Sequence, residues 1–199
     1  MMLRNEKNHR VPPAAATVGM WLFLAALTML FGATMIGYAI IRSRSTSAAA
    51  PGSLHLPPLL WLSTAAMLFA SVTIHRALSA VRRERQAQLR QALVLTCALA
   101  AIFVVVQTPS MWELLHSQTH LAPSANAQGE RLYQLIFALI LIHALHVLGG
   151  IVGLGLTTRH AFQHRYDHEH YNGVKHAAMY WHFLDGVWIV MFLGITLAR

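Results

Sequence analysis

The sequence predicts an all-α, polytopic membrane protein, a bundle of five transmembrane helices, on three observations. Of its 199 residues, 56% are hydrophobic and only 11% are charged, where a soluble domain carries about 25% charged residues. The apolar residues are gathered into long blocks rather than short periodic stripes. Five of these blocks reach the roughly 20 residues a helix needs to cross a bilayer: Ala14–Ile41, Pro57–Val81, Ala92–Trp112, Leu132–Thr157 and Val174–Ala198.

Residues 1–13 are polar and basic, end in Pro12-Pro13, and read as a loose tail ahead of one membrane domain over 14–199. The first block exceeds the 7–15 apolar residues of a signal-peptide core and is followed by Arg42 and Arg44, so it reads as a span that stays in place. The linker "RSRSTSAAAPGS" is small and polar, with Pro51-Gly52 as a breaker. The next linker, "VRRERQAQLRQ", is short and rich in helix formers. It predicts a helix carried into a tight turn beside anionic lipid headgroups, with Arg82 and Arg83 as headgroup contacts. The third block holds the single cysteine, Cys97. It excludes an internal disulfide and reads as a small packing residue. The longest linker is expected over Glu113–Arg131, with Pro123 and Gly129 inside it. Gly149 and Gly153 in the fourth span, and Ala33 and Gly37 in the first, carry the small-x-x-x-small spacing that lets helix backbones approach in lipid.

Net charge is +8. In a membrane protein this balance speaks to topology rather than to nucleic acid. With alternating spans, one side holds Arg4, Lys7, Arg10, Arg76, Arg82, Arg83, Arg85, Arg90, Arg159, Arg165 and Lys175, 11 of the 15 Lys and Arg; the other holds Arg42, Arg44, Arg131 and Arg199. Positively charged loops stay in the cytoplasm, which predicts a cytoplasmic N-terminus and an external C-terminus. Trp21, Trp61, Trp112 and Tyr133 lie near span ends, where aromatic anchors belong.

Of the seven acids, only Asp185 falls deep within a span, three residues after His182. Intramembrane ionisable groups face the bundle interior and pair. His143, His146, Gly150 and Gly153 recur at helical spacing on the fourth span. This face is expected to meet the His182/Asp185 face through an imidazole-to-carboxylate hydrogen bond, an interhelical polar clamp of His143, His146, His182 and Asp185. Their functional alternatives are a proton relay, a metal site or a haem site; a bis-histidine haem would need ligands from different spans, such as His75, His143 and His182. His160, His164, His168, His170 and His176 form a further cluster, the first three at i, i+4, i+8. Arg159, Arg165 and Lys175 beside them disfavour a dication, so they read as a wet interfacial segment and no metal site is assigned. With no H-E-x-x-H, phosphate loop, C-x-x-C or serine-nucleophile motif, no catalytic residue is assigned either.

"YWHFLDGVWIVMF" (Tyr180–Phe192) resembles the last-helix signature of subunit III of the haem–copper respiratory oxidases, approximately Y-W-H-F-V-D-x-V-W. "GMWLFLAALTMLFG" (Gly19–Gly32) is similar to that family's G-M-W-L-F-L-A-S-E-x-M-x-F-x-G helix. "ASVTIHRAL" (Ala70–Leu78) resembles its S-S-V-T-x-H-x-A segment, and "HALHVLGG" (His143–Gly150) its H-G-L-H-V-x-x-G. "HYNGVKHAAMYWHFLD" resembles the stretch leading into the last helix. The matches run in family order from the first span to the fifth.

The resemblance implies a five-span bacterial form in the plasma membrane and an accessory, non-catalytic role. The chain would bind neither haem nor copper, which sit in partner subunits. It would pack on the catalytic subunit I beside subunit II, hold phospholipids in a cleft, and support complex stability and proton uptake. On that reading the four clamp residues are scaffold. Two positions depart from the family pattern. Leu27 stands where a glutamate commonly follows A-S, and Lys175 where a glutamate often lies five residues before the signature tyrosine. The first removes an intramembrane carboxylate associated with proton and lipid roles; the second places a cation beside headgroup phosphates. Both widen the expectation to the subunit-III-like accessory protein of nitric oxide reductase. A haem-binding membrane cytochrome is the third reading, from a different class.

Overall fold

A computed structural model describes residues 13–44, 59–120, 127–164, 166 and 171–197. Five helices are described: α1 (Pro13–Arg44), α2 (Leu59–Arg82), α3 (Gln86–His120), α4 (Ala127–Phe162) and α5 (Asn172–Leu197). All five are long and apolar enough to cross a membrane, the spanning parts being Ala14–Ser43, Trp61–Arg82, Gln86–Pro109, Gln134–Phe162 and Asn172–Gly194. The chain is a multi-pass membrane protein. The expected tail over residues 1–13 lies outside the described residues, apart from Pro13, which opens α1.

Helices α2 and α3 pack most extensively; α5 also meets α2, α4 and α1, and α4 also meets α3 and α1. The main core is built from heptad-like rows, since residues seven apart return to the same side of a slightly underwound helix. Met67, Ile74 and Val81 on α2 face Leu93, Ala100 and Phe103 on α3, Val147, Leu154 and Ala161 on α4, and Val174, Trp181 and Trp188 on α5. Helix α1 stands outside this core and joins through a smaller cluster, Phe31 with Leu139 and Met191.

The turn between α2 and α3 is as short as the sequence predicts. Arg85 N–H donates to Ala80 O at 3.0 Å and Glu84 N–H to Val81 O at 3.2 Å, the paired bonds of a Schellman helix stop. Glu84 takes the left-handed position with φ 56°. The linker expected over Glu113–Arg131 is shorter than its composition suggests. Helix α3 continues to His120 through Pro109, and α4 already begins at Ala127. Gly129 therefore lies within the first turn of α4, while Pro123 lies outside the described residues.

Among the described residues, the small-residue pairs are not the points at which this chain's own helices approach. A Cβ added at Gly149, Gly153 or Gly37 would meet nothing within 4 Å, whereas one at Gly150 would lie 3.0 Å from Tyr180 Cε1 and 3.4 Å from Leu184 Cδ1. Gly150 is therefore the close-approach point of α4 and α5. Gly149 and Gly153 line, with Gly150, a groove of about 410 Å³ bounded by Met20, Phe23 and Tyr180. One residue along a helix is a rotation of about 100°, enough to move the contact from Gly149 to Gly150. Helices α5 and α1 approach at Gly194, whose added Cβ would lie 2.6 Å from Met35 Cε.

Candidate functional site

Deep within the α5 span, His182 and Asp185 fall on different faces of that helix, one exposed and one buried. Asp185 is 5% exposed and His143 on α4 is 1% exposed. Neither ring nitrogen of His143 and neither carboxyl oxygen of Asp185 has a hydrogen-bond partner among the described residues. His143 is held by aromatic contacts. Its ring stacks on Trp188 at 5.4 Å between centroids and meets Phe31 edge-on at 6.1 Å. His146 meets the same Phe31 at 5.6 Å, and its Nδ1 lies 2.7 Å from Ile142 O, one turn back on its own helix.

His182 faces away from α4. Its Nδ1 lies 2.6 Å from Ser71 Oγ on α2, and its ring lies 6.1 Å from that of His75. The Ser71 hydroxyl also faces the Asp185 carboxyl without a hydrogen bond forming between them. The imidazole-to-carboxylate bond expected between α4 and α5 is absent among the described residues, and the tie that His182 makes joins α5 to α2 instead. The physical reason is angular. Three residues along a helix return about 60° short of a full turn. That is sufficient to aim Asp185 into the bundle while His182 lies on its outer surface.

Ser71, Trp188 and Thr64 are the residues that sequence reasoning missed. Trp188 joins three helices to α5: its Nε1 donates to Thr64 Oγ1 on α2 at 3.1 Å, and its ring stacks on His143 of α4 and meets Phe103 of α3 edge-on at 5.5 Å. An indole N–H within a span needs an acceptor, which is the signal available in the sequence; the helix that supplies it is not written there. Further ties follow the same pattern. Thr73 and Thr96 hydroxyls meet at 2.8 Å between α2 and α3, Cys97 Sγ and Thr158 Oγ1 at 3.4 Å between α3 and α4, and Tyr180 Oη donates to His146 O at 2.9 Å between α5 and α4. Cys97 is thus a half-buried contact residue, as its small size suggests.

At the basic end of the bundle, the α2–α3 turn is stitched to the α4–α5 connection. Gln86 Nε2 donates to Tyr166 O at 2.8 Å, the Arg82 guanidinium lies 5.7 Å over the Tyr171 ring, and Arg90 lies 5.8 Å over Phe162 with an Nη 3.3 Å from His164 Nε2. Arg82 and Arg83 are exposed and Lys175 is half-buried in the first turn of α5. Arg83 lines a groove of about 420 Å³ with Arg76, Arg85, Ser79 and Gln88. The i, i+4, i+8 histidine row is not continued on one helix, because α4 ends at Phe162 and His164 takes φ 54°. His160 packs edge-on against Tyr166, and His176 pairs with Thr17 of α1 at 3.3 Å. His168 and His170 lie outside the described residues. Among those described, no three His, Cys, Asp or Glu side chains converge.

This geometry defines a polytopic helical membrane protein whose polar side chains tie helix to helix. The family model for cytochrome c oxidase subunit III matches residues 15–197, all five helices included. The chain belongs to that family, and is thereby a subunit III of the haem–copper oxidase type. It is 29% identical over 191 residues to cytochrome c oxidase subunit 3 of Synechocystis sp., covering 95% of this chain and 78% of the relative. It is 26% identical over 180 residues to quinol oxidase subunit 3 of Bacillus subtilis, covering 90% and 85%. It is 31% identical over 135 residues to cytochrome c oxidase subunit 3 of Cyprinus carpio, 67% of this chain and 48% of that longer protein.

Proposed function

We propose that the chain is the non-catalytic subunit III of a haem–copper terminal oxidase in aerobic electron transport. It packs on subunit I, beside subunit II, in a bacterial plasma membrane. The observation that carries this reading is the unbroken family match from residue 15 to residue 197, which spans every helix. The haem and copper centres belong to partner subunits, and this chain's work is structural. It stabilises the complex, holds phospholipid and supports proton uptake elsewhere in the assembly. The charge balance supports a cytoplasmic N-terminus and an external C-terminus. Anionic headgroups then meet Arg82, Arg83 and Lys175 at the cytoplasmic surface, where a cation near an anionic leaflet contributes about 1 kcal/mol.

A second reading, an accessory protein of nitric oxide reductase, is favoured by Leu27. This side chain, 6% exposed, occupies the family's glutamate position on α1, in the packed interface rather than on the surface. Copurification tests both readings. Affinity purification through this chain from mild detergent is expected to bring down a large haem–copper oxidase subunit. The isolated chain is expected to show no Soret band. A nitric oxide reductase catalytic chain in its place selects the second reading. Stoichiometric haem in the isolated chain overturns both and leaves the membrane cytochrome.

A further inference from the structure

We infer that the outward face shared by α2 and α5, centred on His75, His182 and Gly186, is the surface on which a transmembrane helix of the oxidase's large subunit docks. The inference rests on the complex membership proposed above and adds the place of contact.

Depth is the first ground. The α5 span runs Asn172–Gly194 and the α2 span Trp61–Arg82, so His182 stands at the middle of one and Ser71 at the middle of the other. His75 lies one turn further, roughly 6 Å along α2. The bilayer surface is about 15 Å from the midplane. An imidazole cannot cross that distance as a long Lys or Arg side chain does when it snorkels.

Exposure is the second ground. His75 and His182 are both exposed on the outside of the bundle. Ser71 takes His182 Nδ1; the other ring nitrogen, and both of His75, meet no hydrogen-bond partner among the described residues. Acyl chains offer such groups nothing, and a polar group left without a partner in hydrocarbon costs several kcal/mol. Other hydroxyls on outward surfaces do not raise this demand. Thr34 and Thr108, for example, return their protons to carbonyls of their own helices, at 2.8 and 2.7 Å. The two histidines therefore ask for a neighbour that presents hydrogen-bonding side chains at mid-membrane depth, and a protein helix meets that condition.

Shape is the third ground. The exposed row of α5 runs His182, Gly186, Val190, Leu193. A Cβ at Gly186 would meet nothing within 4 Å, so no packing among the described residues calls for a glycine there. A small residue one turn from a polar one is what lets a neighbouring backbone come close enough to hydrogen-bond in lipid.

The test uses the purified complex. A photo-crosslinking side chain is placed at Val72 on α2 or Val190 on α5, both exposed on this face, and at Val105 on α3 or Val152 on α4, exposed on other helices. Crosslinks from Val72 and Val190 to the large subunit are expected, with lipid adducts from Val105 and Val152. Crosslinks to the large subunit from Val105 or Val152 alone overturn the docking face and leave complex membership standing. A preparation without any large oxidase subunit overturns the membership itself. Gly186→Leu gives an independent reading. It is expected to lower recovery of the chain with the large subunit at least tenfold while the isolated chain keeps its helical content and melting temperature. Gly155→Leu, on an exposed position of α4 with equal room, is expected to be recovered as wild type. Full recovery of the Gly186→Leu chain overturns the proposal.

Discussion

His143 and His182 both lie within the membrane-spanning parts of adjacent helices, and the bundle treats them in opposite ways. His143 is buried yet has no hydrogen bond among the described residues, and is packed by Trp188 and Phe31 as an aromatic plate. His182 is exposed yet bonded to Ser71, beside a second outward histidine. Burial alone would assign the polar work to the first and the bland role to the second. The contrast teaches that, in a subunit built for a larger assembly, the interior of one chain is not the interior of the complex. A polar group on the outside of the chain can be the one with a partner to meet.

The largest expected effect comes from the residue on which the buried His143 stacks, which also reaches α2 and α3. Trp188→Ala removes the ring stacked on His143 and the N–H donated to Thr64, and is expected to destabilise the bundle by about 3–5 kcal/mol, as large-to-small core changes do. Reversible unfolding in mixed micelles measures it; a loss under about 1 kcal/mol would show that α5 is held elsewhere. Next is the close approach of α4 and α5. Gly150→Leu is expected to cost about 1–3 kcal/mol through overpacking against Tyr180, and Gly153→Leu far less, because its Cβ points into a groove. Equal costs for the two would place the contact on the Gly149/Gly153 row after all.

The smallest effect bears most directly on the two histidines. His143→Phe keeps the stack on Trp188 and removes ring nitrogens that have no partner, so stability of the isolated chain should stay within about 0.5 kcal/mol of wild type or rise. His182→Phe removes the Ser71 bond and should cost roughly 0.6 kcal/mol, up to about 1.7. The reverse order in the same unfolding assay breaks the comparison.

The five spans were legible because their cause is local. A bilayer imposes length and composition on each segment separately, so the apolar blocks locate the helices whatever they pack against. The α2–α3 turn was legible for the same reason, as two helix-forming runs with too few residues between them for anything but a tight stop. The burial of Asp185 followed from the cost of a carboxyl in hydrocarbon. What the one-dimensional pattern did not contain is rotation about each helix axis. His182 and Asp185, three apart, share a half-face by spacing, yet about 60° separates them, and the packing of α5 against α2 places them on different sides of the surface. Gly149 and Gly150 differ by about 100° in the same sense, and only the position of Tyr180 selects the second. Length and composition alone locate the five apolar segments able to span the membrane and mark the residues too polar to be there without cause. The tertiary structure decided which helix answers each of them, because side-chain partners across helices depend on the relative rotation of whole cylinders, and that is set by the sum of all their contacts at once.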